Sequence, residues 1–147
     1  MTLHLRPFAA KNKVYLWETY KKAMKHHIDK IWGWDSEWQI NNFNQNLVEF
    51  KTSIIFEDHK RIGYIQFNTS NDAVFINMII LEQDYQSKGI GMKILDLIQS
   101  AHRSLPIRLK CFKVNKPALD FYNRNGFVEK KRDEVFITLV KTKKASV

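Results

Sequence analysis

The segment Gln86-Ser87-Lys88-Gly89-Ile90-Gly91 lies between an apolar run, Val74 to Leu81, and a strongly periodic stretch beginning near Gly89. The run, bounded by turn residues, reads as a buried strand. Ile90, Ile94, Leu97, Ile98, Ala101 and Leu105 then recur at helical spacing. The middle of the chain is thereby predicted to be a strand, a glycine turn and a helix. Two glycines at such a corner let the backbone approach a ligand with no side chain intervening. The helix points its unpaired N–H groups and the positive end of its dipole at the turn. A phosphate or pyrophosphate is the natural occupant.

Two better-known glycine motifs are excluded. A P-loop needs G-x-x-x-x-G-K-[ST], which the chain lacks, and a dinucleotide fingerprint needs a small residue where Ile94 stands. A glycine-rich turn by itself is also a common packing device, so a second constellation matters. After an alternating strand pattern, Ile107 to Phe112, comes Asn115-Lys116-Pro117-Ala118-Leu119-Asp120-Phe121-Tyr122-Asn123-Arg124-Asn125-Gly126-Phe127. Asn115 can cap a helix whose first turn holds Pro117, and Asn125-Gly126 supplies a left-handed exit. Taken together, Q-x-x-G-x-G and N-x-x-A-x-x-F-Y-x-x-x-G-F resemble the two signatures of the GNAT acetyltransferase family, in the family's order.

A chain of 147 residues predicts a single domain over 1–147 with a genuine core, and 44% hydrophobic residues argue against disorder. The single cysteine, Cys111, cannot form an internal disulfide, which points to a reducing cytoplasm. No apolar run approaches the ~20 residues that span a bilayer, and Met1 to Pro7 lacks a signal-peptide core, so no membrane partner is expected. The net charge of +9 admits nucleic acid, an anionic small molecule such as coenzyme A, or a merely solvated surface. The lysines are scattered and carry no interleaved aromatics of an RNA-binding signature. Solvated surface plus cofactor attraction is favoured over nucleic acid.

Further along, Leu3 to Arg6 reads as an edge strand. Lys11 to Ile31 reads as a helix, and Asp35 or Ser36 caps a second helix presenting Trp38, Ile40, Phe43 and Leu47. Thr52–Phe56 and Arg61–Asn68 read as a hairpin, followed by the central strand to Glu82. Phe127–Lys130 and Glu134–Val140 close the order. This is an α+β domain, β-α-α-β-β-β-α-β-α-β-β, with a mixed, mostly antiparallel sheet of six to seven strands and about four helices. The resemblance extends over nearly the whole chain, and it implies a sheet splayed between the central strand and the strand at Ile107.

The resemblance also implies a reaction: acetyl transfer from acetyl-CoA to a primary amine by direct attack in a ternary complex, with no metal. Backbone N–H groups of Gln86, Ser87, Lys88, Gly89, Ile90 and Gly91 would hold the pyrophosphate. The main chain of Ile79, Ile80 and Leu81 would pair with the pantetheine arm, and an N–H near Ile80 would face the developing oxyanion. Asn115 matches a pantetheine-binding position. Tyr122 matches the tyrosine that protonates the leaving thiolate, and a phenol of pKa ~10 suits that task. Glu82 is the candidate general base, with Asp35 and Glu37 as alternatives and His26 and His27 attractive by pKa alone.

The acceptor wall is sought in Ile31 to Trp38. Trp32, Trp34 and Asp35 are its pocket candidates, since aromatic faces beside a carboxylate suit a cationic amine. The acceptor, small molecule or protein, stays open, as does monomer or homodimer. Rival readings are an acyl-CoA-binding module without transfer, against which Tyr122 argues, and a basic nucleic-acid-binding domain.

Overall fold

The structure, a computed structural model, describes residues 2–142. The observed order is β1 (Leu3–Pro7), α1 (Lys13–Ile31), α2 (Ser36–Glu49), β2 (Lys51–Glu57), β3 (Lys60–Thr69), β4 (Val74–Leu81), α3 (Ile90–Ala101), β5 (Ile107–Phe112), α4 (Lys116–Arg124), β6 (Val128–Arg132) and β7 (Phe136–Lys141). Short 3-10 turns at Ala10–Asn12 and Gln83–Tyr85 precede α1 and follow β4. The seven strands form one sheet in the order β1-β2-β3-β4-β5-β7-β6. The ladders β1–β2, β2–β3, β5–β7 and β6–β7 are antiparallel, and β4–β5 is parallel. The parallel ladder runs only from Val74↔Ile107 to Ile76↔Leu109, whereas β4 continues to Leu81 and β5 to Phe112. The mixed, open sheet expected from sequence is thus present.

The described chain divides into two compact units, 2–67 with 78–88, and 68–77 with 89–142. In the first, Leu16, Tyr20, Ile28, Phe43, Ile54, Ile55, Ile62, Tyr64 and Ile65 are buried. A register shift opposite Ile55 and Phe56 leaves Ile62 as an extra residue in β3, and its carbonyl accepts from the Glu82 N–H at 2.8 Å. In the second unit the buried set includes Ile94, Leu95, Ile98, Ile107, Leu109, Leu119, Phe127 and Leu139.

Two helices depart from the pattern read in sequence. In α2 the expected face is rotated: Trp38 is 58% and Ile40 39% exposed, while Gln39 and Phe43 are buried. The cause is a polar pair that a hydrophobic pattern cannot show. Tyr20 Oη donates to Gln39 Oε1 at 2.9 Å, and the satisfied amide takes a core position. Helix α3 ends at Ala101, short of Leu105, and Leu97 is 48% exposed. Arg103 and Ser104 take left-handed φ values, and the buried Gln99 donates from Nε2 to the carbonyls of Leu105 and Thr142. The last strand starts at Phe136, later than the expected Glu134, because Asp133 Oδ1 accepts from the N–H groups of Val135 and Phe136, forming a turn there.

Candidate active site

Within the first unit, the end of β4 is held close to β3. A Cβ built on Gly63 would lie 2.0 Å from the Ile80 carbonyl oxygen, so only glycine permits this approach. Beyond Leu81 the chain turns through Gln83–Tyr85. The Gln86 side chain closes this turn, Nε2 donating to the Leu81 carbonyl at 2.9 Å. Ser87 is left-handed at φ 62, and the Lys88 ammonium lies 5.9 Å from the Tyr85 ring centroid. Gln86, Ser87 and Lys88 are all exposed. Ile79 and Leu81 are half-buried and Ile80 buried.

Glu82, expected as the base, is not a loose surface carboxylate. Its Oε2 accepts from Tyr15 Oη at 2.6 Å, and its N–H is fixed on Ile62. Burial, and secondarily the bond to Glu82, push the Tyr15 phenol well above its usual range. Tyr15 therefore keeps its proton and stays a donor to the carboxylate. The Arg61 guanidinium sits 4.3 Å from the Tyr15 ring centroid. Neither Tyr15 nor Arg61 was singled out in sequence: one stands beside Leu16 on an ordinary helix, the other opens a strand. Gly63 did carry a signal, being an isolated glycine inside a strand pattern.

The second unit, described by itself, holds the start of α3. Gly89 is its N-cap, left-handed at φ 78, with open space where a Cβ would stand. The helix has no side-chain cap and no acidic residue in its first turn. Its first backbone bond from outside the helix body is Lys93 N–H to the Gly89 carbonyl, 3.2 Å. The positive helix end is thus left for an anion, and these residues fit a pyrophosphate. Gly91 has a different reason: a Cβ there would lie 3.1 Å from Phe121 Cζ, so it is buried against that ring, and Ile90 is buried with it.

Asn115 caps α4 as its position predicts, Oδ1 accepting from the Ala118 N–H at 3.3 Å. Tyr122 is buried between edge-on rings, with centroids 5.2 Å from Phe121 and 5.1 Å from Phe127. Burial, with the neighbouring Cys111 adding to it, holds the phenol above its ordinary range. The direction departs from the ordinary phenol expected from sequence. Tyr122 stays protonated at neutral pH, as an unperturbed phenol would, and the upward shift makes it a weaker acid.

The acceptor-wall candidates separate. Trp34 packs into an aromatic cluster, with ring centroids 6.1 Å from Trp17 and 6.3 Å from Tyr20, and its Nε1 donates to Ser36 Oγ. Asp35 is the N-cap of α2, accepting from the Trp38 N–H at 3.1 Å. Trp32 is 59% exposed. Two rings near this segment have lysines of the chain beside them, and of these only Trp34 is a pocket candidate. Lys21 lies 5.4 Å from the Trp17 centroid, and Lys25 lies 5.8 Å from that of Trp34. Glu37 and His26 are exposed. His27 is half-buried, and burial lowers its pKa.

A search of curated proteins by sequence found no match. Solved structures align over nearly the whole length. The PaiA N-acetyltransferase of Thermoplasma acidophilum, in complex with coenzyme A, is 19% identical, with TM-score 0.77 over 97% of this chain and 99% of that one. An acetyltransferase of Thermus thermophilus is 16% identical, with TM-score 0.78 over 96% and 97%. Naa50 of Arabidopsis thaliana, bound to the bisubstrate analogue CoA-Ac-MVNAL, is 15% identical, with TM-score 0.67 over 97% and 99%. At such identities the likeness speaks for the fold. The family profile of the acetyltransferase (GNAT) domain matches residues 49–129, a stretch containing both sequence signatures. This chain belongs to the GNAT acetyltransferase family.

Proposed function

We propose that the chain works as one domain, transferring an acetyl group from acetyl-CoA to a primary amine of a small molecule or protein by direct attack in a ternary complex. The observation that carries this reading is the uncapped, acid-free N-terminus of α3 behind two left-handed residues, Ser87 and Gly89. The coenzyme A and bisubstrate complexes of the structural relatives support it. When bound, acetyl-CoA supplies the activated thioester.

The chain's own residues do the rest. Backbone N–H groups of Gln86 to Gly91 bind the pyrophosphate, with Lys88 adding positive charge. Ile79, Ile80 and Leu81 offer strand hydrogen bonds to the pantetheine, an N–H near Ile80 faces the developing oxyanion, and Asn115 steadies the arm. Glu82, oriented by Tyr15, takes the amine's proton. Tyr122, protonated at neutral pH, donates to the leaving sulfur.

The test is calorimetric titration with acetyl-CoA beside a Gly89→Glu variant, then an acceptor screen with Tyr122→Phe. Micromolar binding that Gly89→Glu abolishes is expected, followed by transfer that Tyr122→Phe slows without weakening cofactor binding. Absence of binding in the intact protein would overturn the reading. Binding without transfer to any amine would select an acyl-CoA-binding module instead.

A further inference from the structure

The net charge of +9 is only partly absorbed by a cofactor corner, and part of it converges elsewhere. In the first unit a groove of about 530 Å³ is lined by Lys11, Asn12, Phe56, His59, Lys60 and Arg61. The Ala10–Asn12 turn and the β2–β3 hairpin supply these residues. Asn12 is fixed there, its Oδ1 accepting from the Ala9 N–H. The hairpin's own acid, Asp58, is tied to β1's end of the chain: its Oδ1 accepts from the Thr2 N–H, and its N–H donates to the Thr2 carbonyl. Among the described residues the ion pairs are Lys21–Glu18, Arg132–Glu129 and Lys141–Asp96, none of them in the groove. Lys60 instead lies 5.3 Å from the Tyr85 ring centroid, with Glu82 and Asp84 acting on it from further away. Three permanent cations and a histidine thus line one concavity whose lining includes no carboxylate, with Glu82 and Asp84, the acids that act on Lys60, lying outside it. Such a wall concentrates positive potential and selects an anion.

The groove also has a position relative to the proposed base. Arg61, one of its lining residues, stacks on Tyr15, and Tyr15 holds Glu82. One aromatic ring separates the groove from the carboxylate. We infer that the groove of Lys11, His59, Lys60 and Arg61 binds an anionic group, a carboxylate or phosphate, carried by the acceptor amine. This deepens the acetyltransferase reading and rests on it for the amine. The acceptor's amine sits at Glu82 and its anionic end reaches past Tyr15 to the groove. A polycationic acceptor is disfavoured at the same place.

The test compares primary amines of one length that end in carboxylate, phosphomonoester, carboxamide or ammonium. A second arm uses short peptides whose free N-terminal residue is followed by an acidic or a neutral side chain, which separates a free small acceptor from a peptide one. The anionic acceptors should show at least about tenfold higher kcat/KM, a difference of 1.4 kcal/mol carried in KM. The charge reversal Lys11→Glu with Lys60→Glu should remove that preference and move it towards the ammonium compound. Equal kcat/KM across the set, or a preference that survives the reversal, overturns the inference. An activity-independent arm follows the His59 imidazole signals by NMR on addition of inorganic phosphate. They should shift in the intact protein and not in the reversed variant, and signals that do not move reject the site even if no amine is acetylated. Acetyl-CoA titration in the same samples reports separately on the cofactor corner, so a failed acetyltransferase reading is distinguishable from a failed anion site.

Discussion

Gly63→Ala is the substitution whose effect the structure specifies most directly. The added Cβ would lie 2.0 Å from the Ile80 carbonyl oxygen and 3.0 Å from the Ile80 carbonyl carbon and the Leu81 Cα. All three are main-chain atoms in a sheet, so none can rotate aside as a side chain would. Relief requires β3 and the end of β4 to separate by about an ångström, and overpacking of this kind costs about 1–3 kcal/mol, here at the upper end. For a chain of this size about 3 kcal/mol lowers Tm by roughly 10 °C. Gly89→Ala is the internal control. Nothing lies within 4 Å of its Cβ, so only the strain of φ 78 remains, about 1 kcal/mol. Thermal unfolding of both variants, with acetyl-CoA titration well below Tm, is the assay. Gly63→Ala should lose far more stability than Gly89→Ala. It should also weaken acetyl-CoA binding, because the shifted strand carries the proposed pantetheine-pairing groups. A Gly63→Ala protein within about 2 °C of the parent would refute the close-approach argument.

Three other outcomes are expected. Tyr15→Phe removes the donor to Glu82 and should lower kcat about tenfold, a fraction of the 10²–10⁴ that a positioned base supplies. A kcat within about twofold of the parent contradicts the assignment. Tyr20→Phe leaves the buried Gln39 carbonyl unsatisfied, so urea unfolding should show a loss of about 1–3 kcal/mol, partly restored by adding Gln39→Leu. Stability should also fall in alkali. Burial raises the Cys111 thiol from 9.0 to about 11 and the Tyr20 phenol from 10.0 to about 12, with Tyr64 raised beyond it. Groups raised on folding contribute fully below their unfolded pKa and lose that contribution as pH climbs towards the folded one. The urea midpoint should therefore hold between about pH 7 and 8.5 and drop by about pH 10.5, with Cys111 accounting for about 1–2 kcal/mol. A midpoint that stays constant across that span argues against these burial effects.

The sequence by itself determined the element order, the glycine corner, the capped α4 and the family. Each of these is written in a local pattern: strand-to-helix periodicity around Gly89, a cap and a proline at Asn115 and Pro117, a left-handed exit at Gly126. Tertiary structure alone decided what those patterns serve. Gln39 displaced Trp38 from the core because a hydroxyl from α1 satisfies its amide, and periodicity does not register a partner on another helix. Tyr122 proved buried between the Phe121 and Phe127 rings, and Lys25 came to lie beside the Trp34 ring. Tyr15, Glu82 and Arg61 stand far apart in the chain and become a set only through folding. Short-range sequence fixes conformation through local sterics and hydrogen bonds. The charge, burial and orientation that make a residue chemical depend on neighbours that only the fold brings near.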